Sequence, residues 1–445
     1  MKMTKTEFER TYSNQTNPTL VGSLNQLSHL IFSTPSNKEI ENIKASIAQL
    51  EQKGFSTEQI VSILIGVDYN DQYLIITSDA KKELILFCTR LQTISKYIIQ
   101  CKNSHPGCYI QSSASDPHKN GKHTLFMTYS NKTKWAFKDR SLHVDNAFVG
   151  KNGIIAYLNG FITEKKNQLP ILNIFPEDKM EEFVIKENEL NEESGKLFFK
   201  KLGMLECISQ LIGATDLHHD NIMPTKNGPL VIDAECAFYD FGAETYIKLV
   251  LYCNTVHLGK DKALSYFEIG KQPALDVLGN ETITTSFNEG YTSMKRILQD
   301  IEETKFKKDL PPIISRINKI RIVPWATPDL AEKLNQFYTK EYKINDFKES
   351  DIMKPLIEVV RTLFGNGVKF ENQILAENDY IANIVFQAFS EGTIPAWEIE
   401  IPVQGDKSTI LLNDNIVGTI KFGHQTIVDY IVDARKEIIE NGQKA

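Results

Sequence analysis

The stretch from residue 192 to residue 235 constrains the fold most. Its first half, "EESGKLFFKKLGMLECISQLIG", puts Phe198, Leu202, Leu205, Ile208 and Ile212 on one face at helical spacing, and Gly213 stands where a helix C-cap favours glycine. Its second half, "ATDLHHDNIMPTKNGPLVIDAE", predicts a loop, a "KNGP" turn and a short buried strand, "LVID". This second half crowds carboxylates and histidines around one short turn. Like charges held that close repel one another unless a cation sits among them.

Around this segment the chain changes character twice. Residues 1–105 read as a helical N-terminal region, with a capping-box start at Ser56 and Gln59 and a helical period in "KKELILFCTRLQTISKYII". The polar, Gly- and Pro-bearing "KNSHPGCYIQSSASDPHKNGK" marks a boundary. Residues 106–260 form the expected catalytic core. There "HTLFMTYSNKTKWAFKDR" reads as a hairpin about the turn "SNKT", "NAFVGKNGIIAYLNGF" as a helix, and "NQLPILNIFPEDKMEEFVIKENEL" as strands and loops. Residues 261–445 read as mostly helical. They contain a turn at "GNG", a helix in "DYIANIVFQAFSEG" ending at Gly392, and a last amphipathic helix in "TIVDYIVDARKEIIENG".

With 445 residues, 41 % of them apolar and 24 % charged, the composition is that of an ordinary globular protein. A net charge of −7 and the lack of a long basic run argue against a nucleic-acid partner. "MKMTKTEFER" lacks the apolar core of a signal peptide, and "IVSILIGV" is too short to span a bilayer. The expectation is therefore no membrane and a cytoplasmic location, with delivery into another cell left open. Six cysteines without a Cys-x-x-Cys pair read as free thiols rather than a zinc site.

Asp216 and Asn221 are five apart in a loop after a helix, and Asp233 ends a strand twelve residues later. Protein kinases use this layout of a catalytic-loop Asp, an Asn, and a metal-holding Asp. ATP phosphates need a screening cation, and magnesium prefers hard oxygen ligands such as those of Asn221 and Asp233. Asp216 is then placed to orient or deprotonate a hydroxyl. Lys138, at the end of the expected hairpin, is the candidate for holding the phosphates. No glycine-rich loop or Walker A sequence is present, and Asp116 and His118 of "SASDPHKNGK" take its place over the phosphates. Each has a plainer reading: a loop cap for the Asp-x-His, a solvent-facing His219, an ion pair for Glu235.

The motif set resembles the dehydratase domain of class II lanthipeptide synthetases. "GATDLHHDNIMPTKNGPLVIDAECAF" is similar to that family's Gly-(Gly/Ala)-Thr-Asp-Leu-His-x-x-Asn and Val-Leu-(Ile/Val)-Asp-x-Glu. "SDPHKNGK", "WAFKDRSLHVDNAF", "RIVPWAT" and "AFSEGTIPAWEI" resemble further family segments in the same order, from about residue 105 to 415. The resemblance implies a kinase-like (lipid/protein kinase-type), two-lobed α+β core with mostly helical additions at both ends. It implies ATP and Mg2+ as cofactors, phosphorylation of Ser or Thr in a peptide or protein, and elimination of phosphate to dehydroalanine or dehydrobutyrine. Lys138, Asp216, His218, Asn221, Asp233 and Glu235 are carried over to phosphorylation, Asp116 and His118 to the shared site, and Arg321 and Thr327 to elimination. The sequence departs from the family at Asp139, Trp325 and Thr393. No cysteine follows Cys253, so ring closure would call for a separate cyclase. Two alternatives stay open: a kinase or small-molecule phosphotransferase that does not eliminate, and a pseudoenzyme acting as a binding module. Without the resemblance, Arg321 reads as an ordinary salt-bridge residue.

Overall fold

The computed structural model describes residues 68–70, 73–75, 93, 96–98, 100–113, 118–185, 191–214, 217, 221–239, 278–322, 337, 343–348, 368–369, 379–391 and 393–440. The helix start at Ser56, most of the helix in "KKELILFCTRLQTISKYII" and the turn at "GNG" lie outside these residues. The chain divides into two compact units. One comprises Met1–Asp139, Pro328–Pro355 and Asn378–Pro395; the other comprises Arg140–Thr327, Leu356–Glu377 and Ala396–Ala445.

In the first unit, β1 (Asp68–Asn70) and β2 (Tyr73–Ile75) pair antiparallel. β3 (Tyr109–Ser112), β4 (Leu125–Thr128) and β5 (Lys134–Phe137) form an antiparallel meander, with Tyr109 opposite Thr128 and Leu125 opposite Phe137. β4 alternates as a half-buried strand does, burying Leu125 and Met127. The expected "SNKT" turn closes the β4–β5 hairpin. Asn131 Oδ1 accepts from the backbone N and hydroxyl of Thr133 at 3.0 and 2.6 Å, and Lys132 takes a left-handed φ of 66°. The helix Asp379–Ser390 is present as expected, and Phe337, Phe347, Phe386 and Phe389 meet edge to face around it.

The second unit opens with α1 (His143–Val149) and α2 (Ile154–Asn159). The sequence reading joined these into one helix. Extended backbone at Gly150 and Gly153 separates them, and a Cβ on Gly150 would meet Asn146 Oδ1 at 2.1 Å. β6 (Ile174–Phe175) and β7 (Met180–Glu182) form a short hairpin. α3 (Glu192–Ile212) is the strong helix expected. Asn191 caps it by accepting from Ser194 N at 2.9 Å, and Gly213 ends it at φ 60°. β8 (Ile222–Thr225) and β9 (Gly228–Val231) pair across the "KNGP" turn, where Gly228 has φ 114°.

α4 (Asn280–Asp300) packs along α3 at two glycines. A Cβ on Gly203 would meet Phe287 O at 1.9 Å, and one on Gly290 would meet Lys200 O at 1.7 Å. Glycine inside each helix thus lets two backbones touch, which offsets its poor helix propensity. α5 (Glu303–Asp309) and α6 (Pro311–Ile314) follow. A five-stranded antiparallel sheet then runs in the order β10 (Lys319–Ile322), β12 (Trp397–Glu400), β13 (Lys407–Leu412), β14 (Asn415–Lys421), β11 (Val368–Lys369). Beside the helices expected after residue 261, this sheet is an element that the sequence reading did not include. α7 (His424–Glu440), the last helix anticipated, packs on α3. Its buried Arg435 donates Nε to Leu298 O at 2.9 Å, satisfying a carbonyl in the last turn of α4. No helix among the described residues is long and apolar enough to cross a membrane.

Candidate active site

The site grows out of the β8–β9 hairpin in the second unit. Asn221 stands just before β8 and Asp233 two residues past β9. Ile232 N donates to Asn221 O at 2.9 Å, so the ladder extends one step beyond the strands and Asp233 follows directly on the residue paired with Asn221. The following segment is anchored at Phe238, whose N donates to Ile212 O at 2.7 Å at the end of α3. Phe238 is fully buried with φ 67°, a strained conformation for a bulky residue.

Two guanidiniums and three carboxylates meet here. Arg140 precedes α1 and forks onto Asp145 of that helix: Nη1 donates to Oδ2 at 2.6 Å and Nη2 to Oδ1 at 3.0 Å. Nη2 also donates to Asp233 Oδ1, and Nε is ion-paired with Glu235 Oε2 at 2.7 Å. Arg321, in β10, donates Nη1 to the same Glu235 Oε2 at 2.9 Å. Asp145 Oδ1 accepts from Ala234 N at 3.1 Å, between Asp233 and Glu235. Guanidiniums thus sit among Asp145, Asp233 and Glu235. The plainer readings of Glu235 and Arg321 as ion-pair partners are both realised.

Burial disfavours the charge on Arg140, but Asp145, Glu235 and Asp233 outweigh it and hold the group well above its ordinary range. Arg321 follows the same logic: burial opposes its charge, and Glu235 and Glu398 raise it. Burial pushes Glu235 up, against the pull of Arg321 and Arg140, and Asp233 adds to the push. Asp233 is the most exposed of the five, at 31 %, against 1 % for Asp145 and 9 % for Arg321. Among the described residues, Asp233 is the carboxylate of this cluster that reaches solvent most. Asp233 and Asn221 are the residues that could hold magnesium, which takes few protein ligands and keeps several waters. Among the described residues no group of three or more His, Cys, Asp or Glu is arranged to hold a metal ion.

Lys138 follows β5 directly and is buried, in the first unit. His118 is in the same unit. It pairs with Lys122 in a small bridge turned by Asn120 (φ 58°) and Gly121 (φ 75°), and its Nδ1 lies 3.1 Å from Ile394 O. Thr393 is buried and donates its hydroxyl to Ala388 O at 3.0 Å, closing the end of a helix. Asp116, Asp216, His218 and Thr327 lie outside the described residues.

The sequence reading missed Arg140 and Asp145. Arg140 carried a signal, since it is the arginine of the "RSL" triplet shared with the synthetase segment. Asp145 carried none.

Comparison with known proteins adds to this geometry. Residues 82–265, under half of the chain, match a family described as a domain of unknown function, DUF4135. Its span holds Lys138, Arg140, Asp145, Asn221, Asp233 and Glu235 and leaves out Arg321. A stretch of 127 residues is 28 % identical to the lacticin 481/lactococcin biosynthesis protein LcnDR2 of Lactococcus lactis subsp. lactis. This chain is similar to a lacticin biosynthesis protein over part of its length. The aligned stretch covers 27 % of this chain and 13 % of that protein. These matches support the resemblance to lanthipeptide synthetases and carry no information about which step is catalysed.

Proposed function

We propose that this chain is a lanthipeptide-type dehydratase with a kinase-like core. It phosphorylates Ser or Thr of a peptide with ATP and then eliminates the phosphate. The observation that carries the reading is the hairpin that sets Asn221 just before one strand and Asp233 just past its partner, with Asp233 the most exposed carboxylate of the cluster. Its similarity to a lacticin biosynthesis protein supports a peptide as the substrate.

Asn221 and Asp233 would hold magnesium, whose chemistry there is to screen the phosphate charges. Asp216 would accept the hydroxyl proton and Lys138 would pair with the phosphates. In the second step a base takes the α proton of the substrate, the C–H electron pair forms the double bond, and the Cβ–O bond breaks with its electron pair leaving on phosphate. A Cα=Cβ double bond remains: dehydroalanine from Ser, dehydrobutyrine from Thr. A guanidinium stabilises a departing phosphate by two-point hydrogen bonding, and Arg321 is the residue assigned to it.

One observation favours a second reading, a kinase that stops at the phosphopeptide. Arg321 is only 9 % exposed and its Nη1 is committed to Glu235. Intact-mass measurement on a Ser/Thr-rich peptide incubated with the chain, ATP and magnesium separates the two. Loss of one water per modified residue is expected. Gain of phosphate alone supports the second reading, and an unchanged peptide mass with every substrate tried counts against both.

A further inference from the structure

Asp145 belongs to no catalytic pattern in the sequence, yet it is the most deeply buried carboxylate of the cluster. It lies in the first turn of α1 at 1 % exposure, and both of its oxygens are occupied. Oδ2 and Oδ1 accept the two Nη groups of Arg140 in a fork, which fixes the guanidinium plane. Oδ1 also accepts from Ala234 N, which fixes the backbone between Asp233 and Glu235. Arg140 then reaches both of those side chains, Asp233 through Nη2 and Glu235 through Nε. One buried carboxylate thus restrains Asp233 twice, once through the main chain and once through a guanidinium.

We infer that Asp145 is the positioning residue of this site: acting through Arg140 and Ala234 N, it sets the orientation in which Asp233 offers its carboxylate to a divalent cation. The inference rests on the proposed phosphotransfer reading. Groups that orient a metal ligand from behind are worth about 10–100-fold in metal affinity. Asp145→Asn keeps the side-chain shape and removes the charge that orders the fork. Arg140→Lys keeps a charge but cannot bridge three partners in one plane.

The test is calorimetric titration of Mn2+ into the full chain at fixed ATP, on variants whose circular dichroism matches the wild type. Asp145→Asn and Arg140→Lys are each expected to raise the half-saturating Mn2+ concentration about tenfold. The double variant is expected to be no weaker than the weaker single one, because the two residues act as one unit. Asp233→Ala is expected to lose Mn2+ binding. A folded Asp145→Asn chain that binds Mn2+ as tightly as wild type overturns the inference alone, provided that Asp233→Ala still loses it. So does a double variant whose loss is the product of the two single losses. If Asp145→Asn does not fold, unchanged affinity in Arg140→Lys overturns it equally. A wild-type chain that binds no Mn2+ with ATP overturns the phosphotransfer reading, and the inference with it.

Discussion

Arg321 meets Glu235 twice. Its Nη1 donates to Oε2 at 2.9 Å, and its backbone N donates to the Glu235 carbonyl at 3.2 Å. The first strand of the antiparallel sheet is thereby tied to the segment that follows the hairpin. The side-chain contact lands on the oxygen that Arg140 also uses, so Glu235 joins the arginine assigned to elimination to the carboxylate assigned to the metal.

Removing Arg321 therefore has two effects. Arg321→Ala leaves Glu235 with one guanidinium in place of two, and breaking a buried ion pair from one side costs about 3–5 kcal/mol. Arg140 still pairs with Glu235, so the loss is expected at the lower end of that range, measured by urea unfolding. Among folded molecules at low temperature, a phosphorylated peptide is expected to accumulate in intact-mass spectra. Dehydrated product at the wild-type rate would remove Arg321 from the mechanism.

The α3–α4 contact gives a prediction that is independent of function. Gly203→Ala adds a methyl where Phe287 O lies 1.9 Å away, against a backbone that cannot turn aside. Alanine gains about 1 kcal/mol in helix propensity. Overpacking of this kind costs about 1–3 kcal/mol, and the closeness of the approach puts this site at or above the top of that range. A net fall in thermal midpoint is expected, and an unchanged or raised midpoint would contradict the packing described.

Lys201 sets a pH dependence. It is buried in α3, donates Nζ to Asn227 O at 2.6 Å, and burial pushes it from its ordinary 10.5 down to about 8. Between those values the unfolded chain keeps a proton that the folded chain has released. Stability from this group therefore rises as pH climbs through that window and is flat below it. Lys201→Met is expected to abolish the rise in urea-unfolding free energy between the two ends of the window. The same rise in both proteins would show that another group is responsible.

Much of this was legible in the sequence where local physics decides the outcome. α3 was readable because its apolar stripe, its Asn191 cap and Gly213 agree with one another. The "SNKT" hairpin was readable because its turn chemistry stands between alternating segments, and at "KNGP" the turn and the buried strand after it were readable. The sheet from β10 to β14 was not, because its strands are short and stand among helices. Even so, "LLNDNIV" held a signal: Asn413 and Asp414 sit at φ 48° and 62°, the pair of left-handed residues that a two-residue hairpin loop requires. The ion cluster was the least legible. Arg140 reaches Asp233 across 93 residues, and no local pattern in the sequence records a pairing at that distance.

The most direct test of the account compares wild type with Asp233→Ala on one Ser/Thr peptide, with ATP and magnesium, by intact mass. The account predicts dehydrated peptide from the wild type and neither phosphate gain nor water loss from the variant, since the carboxylate proposed to hold the metal is gone. A folded Asp233→Ala chain that still modifies the peptide would contradict it.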